Sequence, residues 1–304
     1  MTSIDILAAT LMQYGELRRD EPMSRHTTFG VGGPADLFVT VRDAAGLAAA
    51  ARAATESGAP VFVLGSGSNI LVADRGIRGV VIDNRARGES EADGGLTRTV
   101  ESGMSFAGFA RKMCRAGLDG LTWAVGIPGT LGGAVVYNAG AYGGCLGDVL
   151  SRVRLLDAEG REEWVDAAAL GLVYRGSVFT RGQVAGRTVL EVQLRLQPAD
   201  PSTLLARAGA HDARRLTAQP RGRNAGSMFK NPASSPAWKL IDAVGLRGAT
   251  RGDAAISDRH CNFFVNYGNA RAEEVAWLVA EAQRRVREQF GVELEREVAF
   301  VGEW

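Results

Sequence analysis

The sequence predicts an α+β protein: two α+β units followed by a C-terminal α/β domain. Three observations predict it. Apolar strand-like runs flank an alanine-rich helical stretch over residues 37–84, and further alternating strands enclose one helical segment between residues 97 and 198. In the last hundred residues, two helical stretches alternate with short apolar strands and one charged, glycine-bearing motif. The expected boundaries are 1–85, 86–200 and 201–304.

The elements follow in order. The opening stretch MTSIDILAATLMQYGELRRDEP reads as an amphipathic helix. LFVTV (37–41) is a strand, and DAAGLAAAARAATESG (43–58) is a helix that ends at Gly58. PVFVLG (60–65) and VVIDN (80–84) are short apolar strands. LTRTVESG, RVRLLDAEG, EEWVD and RTVLEVQLRLQP supply the strands of the second unit, with MSFAGFARKMCRAG (104–117) as its helix. The linker DPS follows near Pro198–Pro201. The last unit has a helix over 202–217, the strand CNFFVN, a long helix over 271–290 and the strand VELEREVAFVG. Val275, Val279, Ala282, Val286 and Phe290 give the long helix one buried face, and Asn269 ahead of Glu273 and Glu274 is its expected start.

Composition narrows the function. The chain has 304 residues, 46% hydrophobic and 23% charged, which is ordinary for a globular protein. A net charge of +1 supplies no basic field, so nucleic acid is not an expected partner. Cys114, Cys145 and Cys261 are scattered without CxxC spacing, which points to neither a disulfide framework nor a metal site. No stretch approaches the ~18 consecutive apolar residues of a membrane span, and the N-terminus lacks the pattern of a secretory leader. A cytoplasmic location is expected. Lysine is scarce, with 3 among the 35 basic residues. A retained Lys230 therefore points to a position that needs a compact ammonium.

Two glycine segments stand out. GIPGTLGGAVVYNAGAYGG (126–144) carries seven glycines in nineteen positions, and LGSGSNILV (64–72) follows a strand. Either is a glycine-rich surface loop, or a backbone that closely approaches a ligand. GVGGPA (30–35) approximates a dinucleotide fingerprint but follows polar sequence and runs into a strand, and no GK dipeptide exists for a P-loop. Gly126, Gly129 and Gly132 are three apart, with Gly133 adjacent, and the small residues Gly65–Asn69 can present successive N–H groups to one anion. Together they form a candidate clamp for a dinucleotide pyrophosphate without a Rossmann motif.

The chemistry-bearing residues lie elsewhere. In NAGSMFKNP (224–232), Ser227 sits beside Lys230 and Asn231 without a GxSxG elbow, and His26, His211 and His260 offer no recognisable triad. Ser227 is either a turn residue or a proton donor. In YRGSVF (174–179), Arg175 between aromatic and apolar neighbours either packs or grips a carboxylate or phosphate with two donors. In LEREV (294–298) a strand would put Glu295 and Glu297 on one face and Arg296 on the other, leaving both carboxylates as candidates.

Taken together, HTTFGVGGPADLFV, LGSGSNILV, GIPGTLGGAVVYNAGAYG, YRGSVF, NAGSMFKNP, ISDRHCNFFVN and LEREVAFVG resemble the UDP-N-acetylenolpyruvoylglucosamine reductase (UDP-N-acetylmuramate dehydrogenase) family of peptidoglycan synthesis. The resemblance spans nearly the whole chain, with seven motifs in family order. It implies a vanillyl-alcohol-oxidase-like FAD domain made of two subdomains, then a substrate domain. It also implies non-covalent FAD, NADPH as hydride donor and a nucleotide-sugar substrate. It assigns FAD contacts to Gly65, Ser66, Gly67, Ser68, Asn69, Ile70, Gly126, Ile127, Pro128, Gly129, Thr130, Gly133, Ala134, Asn138, Gly140 and Ala141. Substrate contacts fall to Tyr174, Arg175, Lys230 and Asn231. Catalysis falls to Ser227 as proton donor, with Arg175 and Glu297 stabilising the developing charge; a serine hydroxyl is a poor acid, and the neighbouring Lys230 is the candidate charge that lowers the cost of releasing its proton. The chain departs from the family at Arg296, where proline is common. Between Phe179 and Val189 it has no room for the tyrosine-bearing loop of the longer form, so it resembles the short form. A monomer is expected. The alternatives are an FAD-linked oxidase or dehydrogenase of an alcohol or sugar, and a non-catalytic nucleotide-sugar-binding protein.

Overall fold

A computed structural model describes residues 3–184 and 186–304. The chain divides into two compact units. The first comprises Met1–Arg19, Leu37–Gly65 and Gly79–Arg214; the second comprises Asp20–Asp36, Ser66–Arg78 and Arg215–Trp304.

The first unit is built on two sheets. One runs in the order Glu16–Pro22, Pro34–Val41, Ile77–Asn84, Val61–Leu64, the last two strands being parallel with Val61 opposite Val80. Helix Ala44–Glu56 covers it, started by Asp43, whose side chain accepts from Gly46 N at 2.7 Å. Leu47, Ala51, Leu37, Val39, Val80 and Ile82 close this core. The N-terminal helix is shorter than the sequence predicts. It spans Ser3–Leu11, and the polar Glu16–Pro22 is a strand instead. Pairing with Pro34–Val41 supplies its hydrogen bonds, so a mostly exposed edge strand forms without an apolar pattern of its own.

The second sheet is antiparallel, in the order Glu162–Asp166, Leu150–Leu156, Thr188–Arg195, Thr97–Glu101, Glu89–Ala92. Val153, Val192 and Val100 stand in register across its centre and face Phe106, Phe109 and Met113 of helix Phe106–Arg115. Helix Pro201–Ala218 leaves this sheet with only Leu204 and Ala208 buried.

In the second unit, helices Ala237–Ala243 and Ala272–Phe290 pack their apolar faces with the antiparallel strands Thr250–Arg251, Ala254–Ile256 and Phe264–Asn266. Asn269 does not start the long helix. Its first N–H groups, on Ala272 and Glu273, donate to the Asp74 carboxylate at 2.9 and 3.0 Å, while Glu274 accepts from Arg271 N at 2.9 Å. An acid almost two hundred residues away in sequence supplies the cap, so local spacing does not reveal it. The expected strand over the last residues narrows to Ala299–Val301, paired in parallel with Ile70–Val72. Glu295 and Glu297 therefore lie ahead of the strand, not on one of its faces.

Candidate active site

The glycine run is mostly folded, not a loop. Thr130 Oγ1 accepts from Gly133 N at 3.4 Å and starts the short helix Leu131–Val136. Leu131 N and Gly132 N donate to Met104 O and Ser102 O at 2.9 and 2.8 Å, so these two N–H groups already have partners in the protein. Gly140–Ala141 then turns back on Gly144–Cys145 as a tight hairpin. Gly65 of the other glycine segment lies against this run. A Cβ on Gly65 would stand 2.6 Å from Thr130 Oγ1.

The Tyr174–Arg175 turn is fastened to the end of the run. Buried Asn138 donates from Nδ2 to Val173 O and accepts at Oδ1 from Gly147 N, both at 3.0 Å. Ser177, also buried, donates from Oγ to Val136 O at 2.6 Å. Val173 and Gly176 close the turn, with Gly176 N on Val173 O at 3.2 Å. Arg175 occupies the turn with φ +51°, a conformation that normally favours glycine or asparagine. Holding an arginine there costs on the order of 1–3 kcal/mol, and such strain concentrates where a side chain must be aimed. Its Nε is buried, and the guanidinium carbon lies 5.4 Å from the ring centre of the exposed Tyr174.

The second unit gathers Asn69, Ser227, Lys230, Asn231 and Glu297. The segment Ser227–Lys230 runs between two others. On one side, Ser227 bridges Phe263, and Met228 N donates to Asn262 O at 2.7 Å. On the other, Glu297 N donates to Met228 O at 2.8 Å and Lys230 N to Glu295 O at 2.9 Å. Ser227 and Glu297 are thereby placed on neighbouring backbones. Asn69 ties in the GSGSN segment, donating from Nδ2 to Glu297 O at 3.1 Å and accepting at its carbonyl from Ala299 N at 3.1 Å.

Lys230 does not stand free beside Ser227. Its Nζ donates to Glu295 Oε1 at 2.5 Å, which separates the roles of the two glutamates that the sequence leaves open. Arg296 lies over the Phe300 ring, 4.2 Å from its centre, and Phe300 stacks on Trp304. Asn231 Oδ1 accepts from Ala237 N at 3.0 Å at the start of helix Ala237–Ala243.

The residues fit a dinucleotide. Gly67 has φ +63°, and a Cβ there would stand 2.1 Å from His26 O. Among the described residues, the backbone N–H groups of Ser66, Gly67, Ser68 and Asn69 donate to no protein acceptor. Successive N–H groups in a tight turn form an anion-binding concavity that needs no basic side chain. Gly126, Gly129, Thr130 and Asn138 belong to the glycine run whose Thr130 lies against Gly65.

An FAD binding domain model matches residues 35–166, and the model of the UDP-N-acetylenolpyruvoylglucosamine reductase C-terminal domain matches residues 218–301. UDP-N-acetylenolpyruvoylglucosamine reductase 2 of Symbiobacterium thermophilum is 40% identical, covering 97% of this chain and 96% of its own. The chain belongs to the UDP-N-acetylenolpyruvoylglucosamine reductase family. The Chloroflexus aggregans reductase is 43% identical over 94% of this chain and 97% of its own. The crystal structure of the Thermus caldophilus reductase superposes with a TM-score of 0.81 at 37% identity, covering 95% of this chain and all of that one. The reductase thus has the expected α+β architecture, an FAD domain followed by the family's C-terminal domain. A member of this family is an oxidoreductase that carries FAD and draws its electrons from NADPH. Among the described residues of this reductase, no helix is long and apolar enough to cross a membrane.

Sequence reasoning missed three residues that hold these clusters: Ser177, Asn262 and Asp74. Asn262 was the most accessible of them, being one of two amides in the apolar run CNFFVN, where burial demands hydrogen-bond partners.

Proposed function

We propose that this chain reduces the enolpyruvyl ether of UDP-N-acetylglucosamine to UDP-N-acetylmuramate. Residues 1–85 and 86–200 would form the FAD-binding subdomains and 201–304 the substrate domain. Gly65–Ile70, Gly126–Thr130, Gly133, Ala134, Asn138, Gly140 and Ala141 would hold FAD. Bound FAD, reduced by NADPH, supplies a hydride to the β-carbon of the alkene. Negative charge then builds on the conjugated carboxylate. Arg175, whose turn Asn138 and Ser177 fasten, meets that charge with two donors. Glu297 helps to stabilise it. Ser227 delivers the proton to the α-carbon, completing addition of H⁻ and H⁺ across the double bond. Tyr174, Lys230 and Asn231 contact the nucleotide-sugar. One observation carries the reading: Glu297 N donates to Met228 O at 2.8 Å, so the backbone that bears the proposed carboxylate runs beside the one that bears the proposed donor.

The two half-reactions test it. In Ser227→Ala, NADPH bleaches the flavin at a near-parent rate, because the serine plays no part in that step. Reoxidation by the enolpyruvyl substrate slows by about 10²-fold or more, the usual contribution of a positioned acid. Ser227→Cys recovers part of the loss, since a thiol is the stronger acid at similar reach. Reoxidation of Ser227→Ala at the parent rate would remove the serine from the mechanism.

A further inference from the structure

Asn262 is buried, at 3% exposure, and every polar group on it is committed. Its Oδ1 accepts from Phe229 N at 2.9 Å, and its Nδ2 donates to Phe229 O at 2.8 Å. Its carbonyl accepts from Met228 N at 2.7 Å, and its own N–H donates to His260 Nδ1 at 3.3 Å. The side chain thus satisfies both backbone groups of Phe229 as another strand would, and the main chain takes the next residue toward Ser227. His260 is itself held by Phe263, their ring centres 4.9 Å apart at 78°, and its backbone N–H donates to Ser257 Oγ at 3.4 Å.

The opposite edge of the same segment carries Glu297, through Met228 O. Met228 therefore donates to Asn262 and accepts from Glu297. Displacing Asn262 moves the Met228–Phe229 peptide, whose N–H it accepts from and whose carbonyl accepts from Glu297 N. A buried amide holding two backbone groups is costly to disturb, because each freed group stays desolvated without a partner.

We propose that Asn262 is the positioning residue for the proton-transfer step, clamping Phe229 and Met228 so that Ser227 and Glu297 keep one fixed register. It touches neither substrate nor cofactor in this role. The proposal rests on the reading of Ser227 as proton donor.

The informative variant is Asn262→Asp. It keeps the size and the acceptor for Phe229 N but sets a carboxylate oxygen against Phe229 O, where a donor stood. Rates are read by stopped-flow absorbance of the flavin, so only folded, flavin-loaded molecules contribute and a lower yield does not blur the result. Reduction by NADPH stays within about twofold of the parent, while reoxidation by the enolpyruvyl substrate slows by about 10–100-fold, as expected for an ångström-scale misplacement. The solvent deuterium isotope effect on reoxidation rises, because proton delivery becomes limiting. Asn262→Gln, which keeps both groups on a longer arm, gives the same split with a smaller loss. Because both residues act through one proton transfer, adding Asn262→Asp to Ser227→Ala slows reoxidation little further.

Equal slowing of both half-reactions, or parent-like reoxidation with an unchanged isotope effect, overturns the positioning role. The two readings fail separately. Parent-like reoxidation in Ser227→Ala defeats the donor assignment. A slow Ser227→Ala beside a parent-like Asn262→Asp defeats the Asn262 inference alone.

Discussion

Lys230 and Glu295 are joined twice, by Nζ on Oε1 at 2.5 Å and by Lys230 N on Glu295 O at 2.9 Å. The glutamate side chain is 71% exposed and the lysine 21%, so the ammonium sits largely covered while its partner opens to water. An acidic ligand reaching Lys230 must share or displace that carboxylate. Glu295→Gln should therefore lower KM for the nucleotide-sugar, and Lys230→Met should raise it about tenfold with a smaller change in kcat. Stability should move by less than about 1 kcal/mol in Glu295→Gln, since exposed ion pairs contribute little. Steady-state kinetics decide the point: an unchanged KM in both variants would leave the pair a purely structural link.

Arg175 offers a test in which backbone strain is held constant. Lysine is as strained as arginine at φ +51°, so Arg175→Lys isolates the loss of the planar two-donor head. Turnover of the enolpyruvyl substrate should fall by about 10²–10³-fold, the usual cost of a lost transition-state donor. Flavin reduction by NADPH and the melting temperature should remain near the parent values. Parent-like turnover would make Arg175 a packing residue.

Gly65 and Gly67 should fail differently. At Gly65 a Cβ meets Thr130 Oγ1 at 2.6 Å, and that hydroxyl starts the helix Leu131–Val136. Gly65→Ala should cost about 1–3 kcal/mol by overpacking and reduce the flavin bound per protein. At Gly67 the added atom meets a backbone oxygen at 2.1 Å and φ is +63°, so Gly67→Ala suffers clash and strain together. The flavin-to-protein absorbance ratio should rank parent above Gly65→Ala above Gly67→Ala. Full occupancy in Gly67→Ala would separate this turn from the cofactor.

His260 makes stability depend on pH. Burial holds its pKa below the ordinary value of 6.5, with the Arg247 guanidinium acting in the same direction. The unfolded chain therefore takes up this proton at a higher pH than the folded one. The stabilisation is present above about pH 6.5 and is lost as pH falls through the lower folded value. Protonation would also occupy Nδ1, the acceptor for Asn262 N. The melting temperature should fall between pH 7 and pH 5 more steeply in the parent than in His260→Asn, because only in the parent does unfolding take up this proton. Identical slopes in the two proteins would show that this histidine carries none of the dependence.

Much of the secondary structure was legible because burial repeats with the period of the element. Helix Ala272–Phe290 shows it through Val275, Val279, Ala282 and Val286, and the sheet strands around Val153 and Val192 show it as alternation. Elements that depend on a distant partner were not legible in this way. The polar Glu16–Pro22 gives no local sign of being a strand, and the cap of the long helix comes from Asp74.

The candidate site divides along the same line. Residue order by itself determined the family, through seven motifs, and with it the flavin, the reaction and the identities of Arg175, Ser227 and Glu297 as the residues to test. Motifs carry chemistry in side-chain type and spacing, and both are written in the chain. Only the tertiary structure decided which glutamate Lys230 engages, that Asn138 and Ser177 aim the Arg175 turn, and that Asn262 and Glu297 grip one peptide from opposite edges. Those contacts join residues 33 to 69 positions apart, and no periodicity links them. The 2.8 Å hydrogen bond from Glu297 N to Met228 O requires two backbones to arrive together, and it is the packing of the core that brings them there.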